Sequence, residues 1–193
     1  MTLSTNQAGI RVVGFDPSLR NWGISQGYYD PVKGLSISQV STLCPVELTG
    51  KQVRNNSKDL ECAKQLCEGA LEAAKNAQAI FVEVPIGSQS ARAMASYGIC
   101  VGVLGALRAT GIPFFEVTPT EVKMASVGSR TASKAEMIQW ALQTHPEAPW
   151  SRYKEHGVMV ISEAKVEHQA DATAAIYAGL ASNAFKQMLP FLK

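Results

Sequence analysis

Three carboxylates and one histidine stand where a folded chain would gather them. Asp16 closes the apolar run Ile10–Phe15, and Glu83 sits inside AIFVEVP, residues 79–85. Asp171 follows His168 by three positions, so the two share a face of any helix that carries them. Each has an ordinary reading alone. Asp16 before Pro17-Ser18 suits an Asx-turn, Glu83 could face solvent at a sheet edge, Asp171 could complement the positive end of a helix, and His168 could be a surface or capping residue. Together they carry more, because two strand ends and a helix start can meet at one edge of a sheet. Grouped carboxylates repel unless a cation neutralises them. Oxygen donors suit Mg²⁺ or Mn²⁺, and a histidine tilts the set towards Mn²⁺. Two such ions suit phosphodiester hydrolysis, one activating the attacking hydroxide and the other stabilising the leaving 3′ oxygen.

A basic stretch accompanies the acids. From Lys123 through Arg130 to Lys134 there is no acid, and a Gly-Ser-Arg-Thr loop lies inside it. Such groups can hold a phosphate backbone without reading its sequence. Without the acids, a solvated helix face and its loop would account for them.

The elements that must position these groups read as follows. Ile10–Asp16, Trp22–Tyr29 and Leu35–Val40 are strands with short links, which suggests an antiparallel meander. Ser57–Ala77 has helical period, with Leu60, Ala63, Leu66, Ala70 and Ala74 on one face. Residues 79–85 form a strand stopped by Pro85. Ser90–Thr110 is a helix apolar nearly all round, expected to be buried, and residues 112–117 form the next strand. Thr118-Pro119-Thr120-Glu121 and Ser133-Lys134-Ala135-Glu136 are helix-opening capping boxes. Residues 145–166 read as an irregular surface insertion with an anchored Trp150 and a short strand at Val158–Ile161. Arg152, Tyr153, Lys154 and His156 lie there, a mixture that can clasp nucleic acid. Glu167–Gln187 closes the chain as an Ala-rich helix with Asp171 in its first turn. The order implies one α/β layered domain over residues 1–193 with a mixed sheet.

Bulk properties narrow the class. The chain has 193 residues, 46% hydrophobic, with a formal charge of +2, enough for one core and without a polyelectrolyte signature. The four cysteines form no C-x-x-C pair, so they read as reduced packing residues of a cytoplasmic protein. MTLSTNQAG lacks a signal-peptide core, and the longest uncharged stretch, between Arg92 and Arg108, falls short of the ~20 apolar residues a bilayer requires.

The ordered set of motifs resembles the RuvC family of Holliday-junction resolvases. GFDPSLRNWG, residues 14–23, is similar to that family's opening G-I-D-P-G-x-x-x-x-G, with Ser18 in place of a glycine. FVEVP resembles the strand bearing the second acid, and ARAMASYGICVGVLGAL, residues 91–107, the small-residue helix after it. VKMASVGSRTASKAEM, residues 122–137, is similar to V-K-x-x-x-x-G-x-x-x-A-x-K, and HQADATAAI, residues 168–176, to the closing acidic helix in its histidine variant. The resemblance implies a ribonuclease H-like fold, with a five-stranded sheet of antiparallel meander plus parallel strands, flanked by helices. It implies Asp16, Glu83, His168 and Asp171 as ligands of two Mg²⁺ or Mn²⁺ ions and as catalytic residues, with Glu167 left open as a further ligand. Lys123 would stabilise the scissile phosphate, and Arg130 and Lys134 would contact DNA. Ile86 is the bulky residue nearest the place where the family wedges open a junction. The implied activity is a crossover junction endodeoxyribonuclease acting as a homodimer on branched DNA, each subunit nicking one strand to leave 5′-phosphate and 3′-hydroxyl ends. Three alternatives stay open: a ribonuclease H-like nuclease for flaps, replication forks or RNA-containing substrates; an actin-like nucleotide-binding module; and a DNA-binding protein without catalysis.

Overall fold

Alternation along three strands decides which side chains meet which helices. The computed structural model describes residues 9–50 and 52–192. Its main sheet is built from β1 (Ile10–Asp16), β2 (Trp22–Asp30), β3 (Gly34–Leu43), β4 (Ala79–Glu83) and β5 (Phe115–Val117) in the order β3-β2-β1-β4-β5. β1, β2 and β3 pair antiparallel, and β1, β4 and β5 pair parallel. This is the mixed sheet the sequence implies.

Successive side chains on a strand point to opposite faces. Val13 and Phe15 of β1, Trp22 and Ile24 of β2, and Ile80 and Val82 of β4 enter one core, with Cys62, Leu66 and Ala70 of α1 (Asn55–Ala74) and Cys100, Leu104 and Leu107 of α2 (Ala91–Ala109). Val12 and Phe81 enter the opposite core, with Val166, Ala170 and Ile176 of α5 (Glu163–Ala181) and Phe185 of α6 (Asn183–Met188). By the same parity, Asp16 and Glu83 belong to the α5 face. α3 (Pro119–Ser126) and α4 (Lys134–Thr144) pack beside α5, and both capping boxes form.

Several sequence-based expectations change. α5 begins at Glu163 behind Ser162, which makes no side-chain cap, so Asp171 lies in the third turn and does not complement the helix N-terminus. α2 is not buried all round. Its buried residues are Cys100, Val103, Leu104 and Leu107, while Cβ atoms added at Gly98, Gly102 or Gly105 would meet nothing within 4 Å. Leu60 is 72% exposed, and its neighbour Asp59 turns inward instead. Both Asp59 carboxylate oxygens accept from Arg92 at 2.7 and 2.8 Å, which drives its pKa down; burial opposes that shift and the Arg20 charge reinforces it. Arg20 also meets Glu47 at 2.8 Å. This network ties the loop after Asp16 to α1 and to the start of α2, and a period count on apolar residues has no way to register it.

Residues 145–166 are more ordered than an irregular insertion. His145, Ala148 and Trp150 are buried, and the Trp150 indole donates to the His145 carbonyl at 2.8 Å. Only the following segment leaves the body, as a hairpin of β6 (Arg152–Glu155) and β7 (Val158–Ile161). All four cysteines are free, and among the described residues no helix is long and apolar enough to cross a membrane.

Candidate active site

Parallel neighbours β1 and β4 place their terminal acids side by side. Phe15 pairs with Val82, so Asp16 and Glu83 are the next residues along the two strands, on the same face and at the same sheet edge. Neighbouring strands are about 4.8 Å apart, a separation at which two carboxylates feel each other strongly.

The third acid and the histidine arrive from above. α5 crosses β1 and β2 so closely that a Cβ on Gly14 would collide with the Ala172 carbonyl, and one on Gly23 with the His168 carbonyl. Glycine at these two positions is what lets the helix settle. Beneath it, the buried Thr173 hydroxyl donates to Ser25 Oγ at 2.9 Å and fixes the rotation of α5 about its axis. That rotation turns His168 and Asp171 towards the strand ends. His168 Nδ1 lies 2.7 Å from Asp16 Oδ2, with both side chains largely buried.

The electrostatics record the crowding. Burial, followed by the charges of Asp16 and Asp171, pushes the Glu83 carboxyl up from 4.5 to about 9, and Lys123 partly offsets this. Burial, then Asp16 and Glu167, raises Asp171 from 3.8 to about 7, with His168 and Lys123 opposing. For His168, burial disfavours the imidazolium, but its hydrogen bond to Asp16 and the surrounding acids outweigh burial and raise its pKa. Asp16, Glu83, His168, Asp171 and Lys123 thus form one electrostatic unit.

The remaining residues singled out in the sequence are placed differently. Lys134, at the first position of α4, pairs with Glu167 of α5 at 2.5 Å, which brings it to the residue beside His168. Glu167 therefore enters the site's surroundings as the partner of a lysine. Arg130 is exposed in the loop between α3 and α4 and has no ion-pair or hydrogen-bond partner among the described residues. Ile86 is 80% exposed, three residues beyond Glu83.

The donor chemistry fits a hard divalent cation, since three acids with one histidine at a sheet edge carry more negative charge than Lys123 and His168 neutralise. The side chains are not drawn to a common point. Among the described residues no three His, Cys, Asp or Glu side chains stand in a metal-ligating arrangement. His168 is instead turned onto Asp16.

A signed pH dependence follows. Glu83, Asp171 and His168 all have raised pKa values in the folded state, so each contributes stability at low pH that is lost as pH rises through its folded value. Without divalent ions, the melting temperature is expected to fall by about 5 °C or more between pH 5.5 and 9, at roughly 2–4 °C per kcal/mol for a chain of this size. Added Mn²⁺ is expected to restore most at the alkaline end, where the acids are ionised. Melting curves in chelator and in Mn²⁺ across this range check it, and a flat or rising chelator profile contradicts it.

The sheet order, with its antiparallel meander continued by parallel strands and α5 across one face, is that of a ribonuclease H-like domain. Solved structures of RuvC share it. The chain superposes on Thermus thermophilus RuvC in complex with Holliday junction substrate with a TM-score of 0.62 at 21% identity, covering 95% of this chain and 98% of that one. A second structure of RuvC from T. thermophilus gives 0.61 at 21% identity, covering 95% and 99%. The yeast mitochondrial Holliday junction resolvase Ydc2 gives 0.55 at 16% identity, covering 98% and 87%. No family model matches the sequence, and no curated protein does.

Proposed function

We propose that the chain is a metal-dependent endonuclease that resolves Holliday junctions and related branched DNA by paired hydrolysis of phosphodiesters. The observation that carries this reading is the meeting of Asp16, Glu83, Asp171 and His168 at one edge of a RuvC-like sheet. Of the solved structures described above, one is RuvC in complex with Holliday junction substrate and another is the yeast mitochondrial Holliday junction resolvase Ydc2.

Asp16, Glu83, Asp171 and His168 would hold two Mg²⁺ or Mn²⁺ ions, which when bound supply an activated water and stabilise the leaving 3′ oxygen. The chain's own groups do the rest. Lys123 brings positive charge to the site and suits stabilisation of the scissile phosphate. Lys134, held by Glu167, and the exposed Arg130 would contact the phosphate backbone. Ile86 is exposed three residues beyond Glu83, and a bulky apolar group there would be free to press between bases. The products would be nicks with 5′-phosphate and 3′-hydroxyl ends.

Paired nicks require two sites related by a twofold axis. The open small-residue face of α2, with Gly98, Gly102 and Gly105, supports a homodimer formed there, because helices approach closely where side chains are small. A shallow apolar groove between α1 and α2, lined by Leu60, Ala63, Cys67 and Ile99, continues that surface.

Incubating the protein with an end-labelled synthetic four-way junction and Mg²⁺ or Mn²⁺ tests the proposal. Symmetric paired nicks, abolished by chelator, are expected. Cleavage confined to flaps or RNA hybrids assigns the site to another ribonuclease H-like substrate, and binding without cutting removes the catalytic reading.

A further inference from the structure

The hairpin of β6 and β7 leaves the body of the molecule from a root bonded to Gln169, the residue next to His168. Its base is firmly held. The Ser162 amide donates to the Ser151 carbonyl at 2.9 Å and closes the ribbon, and the Ser151 amide donates to Gln169 Oε1 at 3.2 Å. Gln169 is fully buried and adjoins His168, so the hairpin root is bonded to the helix turn that carries the histidine. At the tip, His156 and Gly157 have φ of 46° and 89°, the two-residue turn whose twist matches that of paired strands. Residues 152–159 are all exposed. A lone two-strand ribbon is marginal in water, yet this one also shows Tyr153, Val158 and Met159 to solvent at 48%, 64% and 54%.

Its two faces differ in charge. Tyr153, Glu155 and Val160 line a cleft with Ser162, Glu163 and Ala164, which Ile161 at the hairpin's end also borders, so the hairpin's acid is turned towards the start of α5. Arg152 and Lys154 have the opposite parity and stand across from Ile161 and Met159. That face therefore carries two cations, apolar neighbours and no acid, and neither cation has an ion-pair or hydrogen-bond partner among the described residues. Four-residue strands rise ~3.3 Å per residue. The blade is thus far smaller than the ~800 Å² per partner of a stable protein interface, but it has the form of a two-stranded ribbon that a DNA major groove admits.

We propose that the β6–β7 hairpin docks on a duplex arm of the DNA substrate, with Arg152 and Lys154 on its phosphates, and so steers that arm into the Asp16 site. This rests on the nuclease reading above and adds to it a contact element outside the acidic pocket.

The test is equilibrium binding of the 193-residue chain to a labelled four-way junction over a range of salt concentrations. Wild type is compared with Arg152→Gln/Lys154→Gln, Arg152→Glu/Lys154→Glu and, on the opposite face, Glu155→Gln. Melting temperature and sedimentation are measured on each. Two lost phosphate contacts are expected to weaken binding about tenfold or more at moderate salt and to make the log–log salt slope shallower by roughly 1.8. The charge-reversed pair is expected to bind more weakly still, Glu155→Gln to keep the wild-type slope, and all variants to keep the wild-type melting temperature. A wild type that binds and cuts the junction, beside a Gln/Gln variant of unchanged affinity and slope, overturns the hairpin role alone. A variant that sediments as a smaller species makes the face a contact with a second copy, and overturns it too. A wild type that binds no junction overturns the nuclease reading and the hairpin role with it.

Discussion

Replacing Asp16 by Asn is expected to reduce junction cleavage by about 10³-fold or more, equivalent to ~4 kcal/mol of barrier, while leaving a well-folded protein. The same carboxylate does two things in the structure. It accepts from His168 at 2.7 Å, and its charge helps raise the pKa of both Glu83 and Asp171. The amide keeps an acceptor for His168 but removes a negative charge, which the proposed function assigns to metal binding, and with it a source of repulsion. Activity and stability should therefore move in opposite directions, as they do where a functional site stores unfavourable charge. In chelator at pH 8, Asp16→Asn is expected to melt above the wild type. Junction affinity should hold or tighten, because a negative charge near the DNA is gone. Single-turnover cleavage, melting curves and binding measured on one preparation check all three. Residual cleavage within tenfold of wild type would remove Asp16 from the reaction.

Gly23→Ala has the next largest expected effect, and it acts through packing alone. The new Cβ would meet the His168 carbonyl, a backbone atom in the middle of a helix, so α5 must lift or slide. Overpacking of this kind costs about 1–3 kcal/mol, a fall in melting temperature of roughly 2–12 °C. The displacement falls on the turn carrying His168, and a shift of ~1 Å in a reacting group costs on the order of 10²-fold. Cleavage should thus drop well beyond what the lost stability explains at a temperature where the variant is still folded. Gly14→Ala, aimed at the Ala172 carbonyl, is expected to behave alike. Wild-type cleavage by either variant would mean that the closeness of α5 to the sheet does not set the site.

How much of this was legible in the sequence depended on whether the signal was local. Thr118…Glu121 and Ser133…Glu136 announce their helices because a capping box is complete within four residues, and both helices begin where the boxes place them. Asp16 and Glu83 were recognisable because an acid ending an apolar strand is anomalous in itself. The start of α5 was not legible. Ser162 makes no side-chain cap, and Glu163–Lys165 is exposed and carries no apolar period. The exposed side of α2 was misjudged since apolar character does not say what covers it. β7 was visible as Val-Met-Val-Ile, whereas β6, Arg-Tyr-Lys-Glu, is charged and depends on its partner for strand structure. The Glu167–Lys134 pair joins two helices through space, and no spacing rule connects them.

The hydrogen bond between Asp16 and His168 joins residues 152 positions apart, and this bears on the order in which the protein is made. β1 and β2 leave the ribosome well before the helix that completes the acidic set. Because α5 also supplies much of one core, the sheet face it covers stays unsatisfied until then. A nascent or prematurely terminated chain without residues 163–181 lacks both His168 and Asp171. The acidic set is therefore complete only once α5 has been synthesised and has settled on the sheet.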